Sequence, residues 1–190
     1  MMNISVIGAG YVGLITGIGF AKLNHQVSIV DLNDDLIKNL NENRPPFYEP
    51  ELVDYLNDSN IRNNLFFSTS YQKSINENTD IVFVCVQTPT DPDTGKTKTD
   101  YISSVLTELK KIESFNFIVC IKSTIKATLV EKISNEIDLD YKKIIFNPEF
   151  LREGSAFYDF FNPDRIVIGG SDQKGLNQCT ELYESFDCEK

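Results

Sequence analysis

With 190 residues, 41% of them apolar and 24% charged, the chain suffices for one full hydrophobic core, or one domain with a short extension. Its net charge of −10 argues against a nucleic-acid partner, because no basic face is present to release counterions, although a local cluster of donors would still hold a small anion. No run approaches the roughly 18 apolar residues of a membrane-crossing helix, and the N-terminus enters a strand directly instead of a signal peptide, so the expectation is a cytoplasmic protein with no membrane partner.

The pattern alternates strand and helix. A first strand, Asn3–Ile7, runs into Gly8-Ala9-Gly10-Tyr11-Val12-Gly13, and a helix over Tyr11–Leu23 comes next, with Gly17 and Gly19 as small contact points against a sheet. A second strand, Gln26–Val30, ends on Asp31, 23 residues after Gly8. A strand, a Gly-x-Gly-x-x-Gly turn, a helix and then an acid at that distance form a dinucleotide-binding fingerprint. Gly8 allows the tight turn, Gly10 lets backbone approach a pyrophosphate, and Gly13 lets helix and strand pack closely. The helix N-terminus offers amides and positive dipole to the phosphates. Asp31 can accept from both ribose hydroxyls and would repel a 2′-phosphate, favouring NAD over NADP. The competing reading is a Rossmann-like domain that has lost its ligand, or that binds FAD or another nucleotide.

Further along, Asp34–Asn41 reads as a helix capped by Asn33 or Asp34, and Leu65–Ser68 as a short strand. Asp80–Val86 is a continuous apolar run, as in a central parallel strand covered on both faces. Thr99–Ile112 reads as helix, Phe117–Ile121 as strand, Lys126–Ile137 as helix, Lys143–Phe146 and Arg165–Ile168 as the last strands, and Gln173–Phe186 as the closing helix. Strands separated by helices require right-handed crossovers, so the fold class is α/β: a Rossmann-like, doubly wound, mainly parallel sheet with helices on both faces, with no domain boundary within residues 1–190. Arg44–Pro50 and Thr88–Thr97 read as ordered functional loops.

Ligands of such a sheet lie beyond the carboxyl ends of its strands. Thr88 comes after the fourth strand, Lys122-Ser123-Thr124 after the fifth, and Asn147-Pro148-Glu149-Phe150-Leu151-Arg152-Glu153-Gly154 after the sixth. Thr88 and Thr124 are equally readable as helix caps. Glu149 and Glu153, four apart, would share a face if their segment were helical. Asp91, Asp93 and Asp100 match no calcium-loop spacing and read as a solvated loop. With one histidine, His25, and no Cys-x-x-Cys pair, no metal site is expected. Cys85 and Cys120 read as buried small hydrophobes; Cys179 and Cys188 fall in the helical tail, with nothing in the sequence nearby to activate them.

Six segments occur in order: Gly8-Ala9-Gly10-Tyr11-Val12-Gly13-Leu14, Tyr48-Glu49-Pro50-Glu51-Leu52, Thr88-Pro89-Thr90, Lys122-Ser123-Thr124, Asn147 through Ala156, and Asn162-Pro163-Asp164-Arg165. Together they resemble the N-terminal NAD-binding domain of the UDP-glucose/GDP-mannose dehydrogenase family, with the run Asn147–Gly154 the most specific piece. The resemblance implies oxidation of the C6 alcohol of a nucleotide sugar, UDP-glucose, to a carboxylate in two steps with two NAD, through a thiohemiacetal and a thioester on a cysteine. The alternatives are GDP-mannose or a UDP-N-acetylhexosamine as substrate, or a standalone NAD-binding regulatory module.

By position, the resemblance places Gly8, Ala9, Gly10, Tyr11, Val12, Gly13, Asp31, Thr88, Thr124 and Glu153 at NAD. It places Glu149, Phe150, Leu151, Arg152 and Glu153 at the sugar nucleotide. It makes Glu149 the acid–base residue, shielded by Phe150 so that burial raises its pKa, and Thr124 a catalytic residue that helps place water. Two departures stand out: Leu36 where relatives often carry Arg or Lys, and Lys126-Ala127-Thr128 where a proline and a glycine are usual. The resemblance also implies a nucleophilic cysteine, a lysine, an asparagine and a UDP-binding domain beyond a central helix, none matched here. A fragment, inactive alone and largely monomeric, from a homo-oligomeric enzyme is therefore expected.

Overall fold

The structure, a computed structural model, describes residues 1–112 and 117–190. Its sheet has the order β3-β2-β1-β4-β5-β6-β7. The strands are β1 (Asn3–Ile7), β2 (Gln26–Val30), β3 (Leu65–Ser68), β4 (Ile81–Val84), β5 (Ile118–Ile121), β6 (Ile144–Phe146) and β7 (Gly169–Gly170). Every neighbouring pair is parallel except β6 and β7. The chain winds outward from β1 in one direction and from β4 in the other, so the switch point lies between these two strands, where crevices form in such sheets.

Strand side chains alternate between two cores, as period-2 geometry requires. Ile4, Val6, Ile29, Ile81, Phe83 and Cys120 face one layer. Ile7, Val30, Val82, Val84, Val119 and Ile121 face the other. The first layer is covered by α1 (Tyr11–Lys22), α8 (Ala156–Phe161) and α9 (Gln173–Leu182), the second by α6 (Asp100–Lys110) and α7 (Ala127–Glu136). Helix α1 is buried from Gly13 through Ala21. It is apolar nearly all round, the signature of a helix enclosed by its neighbours. Gly17 and Gly19 are its contact points, against Ile29 and the Phe160 ring.

The expected elements hold with trimmed ends. In α2 (Asp34–Asn41) the cap is Asn33, whose side chain accepts from Leu36 N at 3.0 Å. Four short helices had no readable signal: α3 (Leu52–Asn57), α4 (Ser59–Arg62), α5 (Tyr71–Ser74) and α8. Pieces of four to six residues are too short to display a 3.6-residue period.

Two expectations are corrected. Arg165–Ile168 is not a strand; β7 is the glycine pair just beyond it, antiparallel to β6. The backbone of 165–168 is satisfied elsewhere: Asn147 Nδ2 donates to Val167 O at 2.8 Å, and Ile166 N donates to Glu189 O at 2.8 Å. The closing helix ends at Leu182 rather than Phe186. Tyr183 and Phe186 leave the helix to pack with Phe20 and Phe160 in an edge-on aromatic cluster, and Cys188 lies outside the helix.

Candidate functional site

The strands end in step, so the segments leaving their carboxyl ends are delivered to one edge. Ladder-like bonds run past the strand ends: Gly8 N to Val30 O at 2.7 Å, Cys85 N to Ile7 O at 2.8 Å, Lys122 N to Val84 O at 2.9 Å and Asn147 N to Ile121 O at 2.9 Å. The glycine turn, the Thr88 loop, Thr124 and the loop after β6 are thereby brought together.

The glycine turn is shaped by two contacts that a side chain would destroy. Gly8 sits at φ +101°, in the region that favours glycine, and a Cβ on Gly13 would fall 1.8 Å from the Gly8 carbonyl oxygen. Gly10 differs: it is exposed, and a Cβ there would meet nothing within 4 Å. Gly10 supplies no side chain to cap α1, and no acid stands in its first turn, so none of the helix's own leading side chains neutralises its positive end. Asp31 closes the turn. Its Oδ2 accepts from Ala9 N at 2.9 Å and its Oδ1 from Asn33 N at 3.0 Å, leaving the half-buried carboxylate fixed beside the turn.

Thr88 and Thr124 are not helix caps. The residue preceding α6 is Thr99 and that preceding α7 is Lys126. Thr88 Oγ1 donates to Thr124 O at 2.8 Å, tying together the loops after β4 and β5. Ser123 Oγ adds a bond to Val86 O at 2.6 Å. Thr124 itself is exposed at the edge.

After β6 the segment 147–153 is irregular, so Glu149 and Glu153 share no helical face: Glu149 is half-buried and Glu153 exposed. Glu149 Oε2 accepts from Leu151 N at 2.6 Å, folding the carboxylate back over its own loop. Phe150 does not provide the expected shield; its ring is 52% exposed and lies 5.2 Å from the Arg165 guanidinium. Arg152 is engaged by Asp159 of α8, through Nη2 to Oδ1 at 2.6 Å and Nε to Oδ2 at 3.1 Å. That guanidinium holds the Asp159 carboxyl below the usual range.

Glu49, to which sequence reasoning assigned no role, is central to this loop. Glu49 is 3% exposed. Its Oε1 accepts from Ala156 N at 2.9 Å, and its Oε2 from Gly154 N at 2.9 Å and from Tyr11 Oη at 2.8 Å. Burial alone would raise its pKa, but the two amides and the phenol outweigh burial and hold it low. Tyr11 Oη also lies 3.1 Å from Arg152 O. Burial, then the Glu49 hydrogen bond and charge, push the phenol well above its ordinary range. The signal in the sequence was slight: a carboxylate between Tyr48 and Pro50, in a loop with three prolines.

Beneath the loop lies a buried polar cluster. Lys122 Nζ donates to Asn147 Oδ1 at 3.0 Å, and Tyr183 Oη donates to the same atom at 2.6 Å. Burial lowers the Lys122 pKa. These residues floor a cavity of about 300 Å³ whose walls include Glu149, Phe150, Arg152 and Arg165. The cysteines are free thiols. Cys85 is pushed up to about 12 by burial. Cys179, expected to have nothing nearby to activate it, has its Sγ 3.9 Å from Cys120 Sγ. Burial raises Cys120, while the Cys120 hydrogen bond, aided by Lys122, lowers Cys179. Among the described residues no group of three His, Cys, Asp or Glu side chains could hold a metal, and no helix is long and apolar enough to cross a membrane.

Known proteins resemble this chain along nearly its whole length. Residues 2–187 match the NAD binding domain of the UDP-glucose/GDP-mannose dehydrogenase family. A UDP-glucose 6-dehydrogenase of Bacillus subtilis is 35% identical over 193 residues, covering 97% of this chain and 43% of that protein. A UDP-glucose dehydrogenase structure from Pyrobaculum islandicum superposes with a TM-score of 0.87 at 34% identity, over 100% of this chain and 46% of the other. A GDP-mannose dehydrogenase structure from Pseudomonas aeruginosa superposes with a TM-score of 0.85 at 28% identity, over 99% and 45%. The chain thus spans somewhat less than half the length of these relatives. The fingerprint turn, the acid at the end of β2 and the loop after β6 therefore share one explanation: the chain belongs to the UDP-glucose/GDP-mannose dehydrogenase family, as its NAD-binding domain.

Proposed function

We propose that the chain forms the cofactor half, and part of the sugar-nucleotide pocket, of an enzyme that oxidises the C6 alcohol of UDP-glucose to a carboxylate. NAD, when bound, accepts the hydride. The amides that open α1, Tyr11 to Gly13, hold its pyrophosphate, with Gly10 leaving the approach open, while those of Gly8 and Ala9 donate to Val30 O and Asp31. Asp31 holds the adenosine ribose and disfavours a 2′-phosphate. Val12, Thr88, Thr124 and Glu153 complete the cofactor contacts. Glu149 moves the proton at the reacting alcohol, Thr124 helps place water, and residues 149–153 line the sugar pocket, whose floor is the cavity over Lys122 and Asn147.

The observation that carries this reading is the meeting of the two loops. Tyr11, in the glycine turn, reaches the carbonyl of Arg152 and the Glu49 carboxylate that anchors Gly154 and Ala156. A ligand on the turn and a ligand on the loop would be neighbours, as hydride transfer requires. None of the four cysteines suits the family's nucleophile. Cys85, Cys120 and Cys179 are buried, and Cys188 lies beyond α9, outside the walls of the loop cavity. The chain by itself should therefore bind NAD without completing the oxidation.

A second reading, GDP-mannose as substrate, draws on the comparable backbone likeness to the Pseudomonas aeruginosa enzyme; the higher identity to the UDP-glucose enzymes favours the first. The test is calorimetric titration with NADH and NADPH, followed by incubation with NAD and UDP-glucose while reduced cofactor is monitored. NADH should bind at least about tenfold more tightly than NADPH, the factor set by losing a charge-assisted bond and gaining repulsion, and no sustained turnover should appear. Equal affinities would remove the role given to Asp31, and continuous turnover would refute the exclusion of the four cysteines.

A further inference from the structure

We propose that Glu49 and Tyr11 form a relay that transmits occupancy of the glycine turn to the loop after β6, so that Glu49 is a positioning residue for that loop. The inference rests on the reading that NAD occupies the turn. Tyr11 is the first residue of α1, so its backbone belongs to the anion-facing end of the helix while its hydroxyl points away to Glu49. Glu49 comes from a distant loop and spends both carboxylate oxygens on backbone amides, those of Gly154 and Ala156. Gly154 sits at φ +85°, at the point where the irregular segment turns into α8. The path through Glu49 from the first turn of α1 to the two amides is therefore two side chains long, each joint a hydrogen bond of 2.8 to 2.9 Å, beside the direct approach of Tyr11 Oη to Arg152 O at 3.1 Å.

The chemistry of the joint makes it sensitive to small changes. A buried carboxylate can accept from all three donors at once, whereas a glutamine cannot. Whichever way its amide is turned, its NH2 faces the N–H of Gly154 or of Ala156. Glu49→Gln therefore releases one of the two amides that anchor the loop. Tyr11→Phe leaves both amide bonds to Glu49 intact and removes the joints to the turn, at Glu49 and at the Arg152 carbonyl. Ordering of the α1 terminus by a bound diphosphate fixes the Tyr11 ring, and through it the carboxylate and the two amides. By linkage, whatever orders the loop must tighten binding at the turn by the same factor.

The experiment tracks amide hydrogen exchange at Gly154 and Ala156, resolved by NMR, in the wild-type chain, Y11F and E49Q, each with and without NADH at concentrations where calorimetry shows saturation. In the wild type NADH should slow exchange at both amides by about tenfold, the factor carried by one charge-assisted hydrogen bond. In Y11F the two amides should remain protected to about the same degree without NADH, yet gain no further protection when NADH is bound. In E49Q one of the two amides, the one that meets the glutamine NH2, should exchange faster in either condition. A purely structural role for the pair predicts that Y11F keeps the NADH-induced slowing, and that result overturns the proposal. So does a wild type that binds NADH without any change at these amides. Failure of the wild type to bind NADH at all would instead overturn the reading of the turn, and the relay with it.

Discussion

The glycine turn and the loop after β6 occupy one edge of one sheet but are built in opposite ways. The turn is made largely by its own backbone: Gly8 at positive φ and Gly13 against the Gly8 carbonyl, with its first amides tied to the nearby end of β2, Gly8 to Val30 and Ala9 to Asp31. The loop holds little by itself. It is pinned by Glu49 from more than 100 residues earlier, by Asp159 in the next helix, and from below by Asn147. The turn thus depends mainly on its own residues and the adjacent end of β2, whereas the loop can be disrupted from afar.

The most severe challenge to the turn is Gly13→Ala. The added Cβ would overlap a backbone oxygen that has no rotamer to escape into, so the loss should exceed the roughly 1–3 kcal/mol of ordinary overpacking, read as a collapse of the urea midpoint. Next is Glu49→Gln, which should lower stability by about 2 kcal/mol through one lost charge-assisted bond and one opposed donor pair, while leaving the first turn of α1 intact. Acid should widen the same contrast. The Glu49 pKa is lower folded than unfolded. Its contribution is therefore complete above the unfolded value of about 4.3 and is lost as pH falls through the folded value. A pH series of unfolding curves should show a steeper acid loss for the wild type than for Glu49→Gln. Asp159→Asn should show a smaller effect of the same sign, because Arg152 is exposed and its charge is screened.

The legible parts of the molecule were those whose causes lie close together in sequence. The turn, the acid that ends β2 and the buried strands all announce themselves within a few residues, and the alternation of strands with helices requires the handed crossovers of a doubly wound sheet. Asn33 caps α2 for a local reason too. What could not be read depends on partners far along the chain. Arg165–Ile168 has the composition of a strand, yet the amide of Asn147 and the carbonyl of Glu189 take the bonds a neighbouring strand would have used. Phe150 looks like a lid for Glu149 but faces Arg165. Glu49 carries no role that its neighbours in sequence announce, yet it is buried among three donors. Spacing along a sequence reports periodicity and turns; it carries no record of which loop will supply the missing acceptor.

A turn shaped for a phosphate can be told from one shaped merely for packing at Gly10. Its φ of −75° suits any residue, and an added Cβ meets no protein atom. The decisive experiment is calorimetric titration of Gly10→Ala with NADH, beside its unfolding curve. A phosphate-binding turn requires stability within about 0.5 kcal/mol of the wild type and affinity for NADH reduced at least about tenfold, as one close backbone–phosphate contact is blocked. Undiminished affinity in a stably folded Gly10→Ala chain would show that the turn serves packing alone.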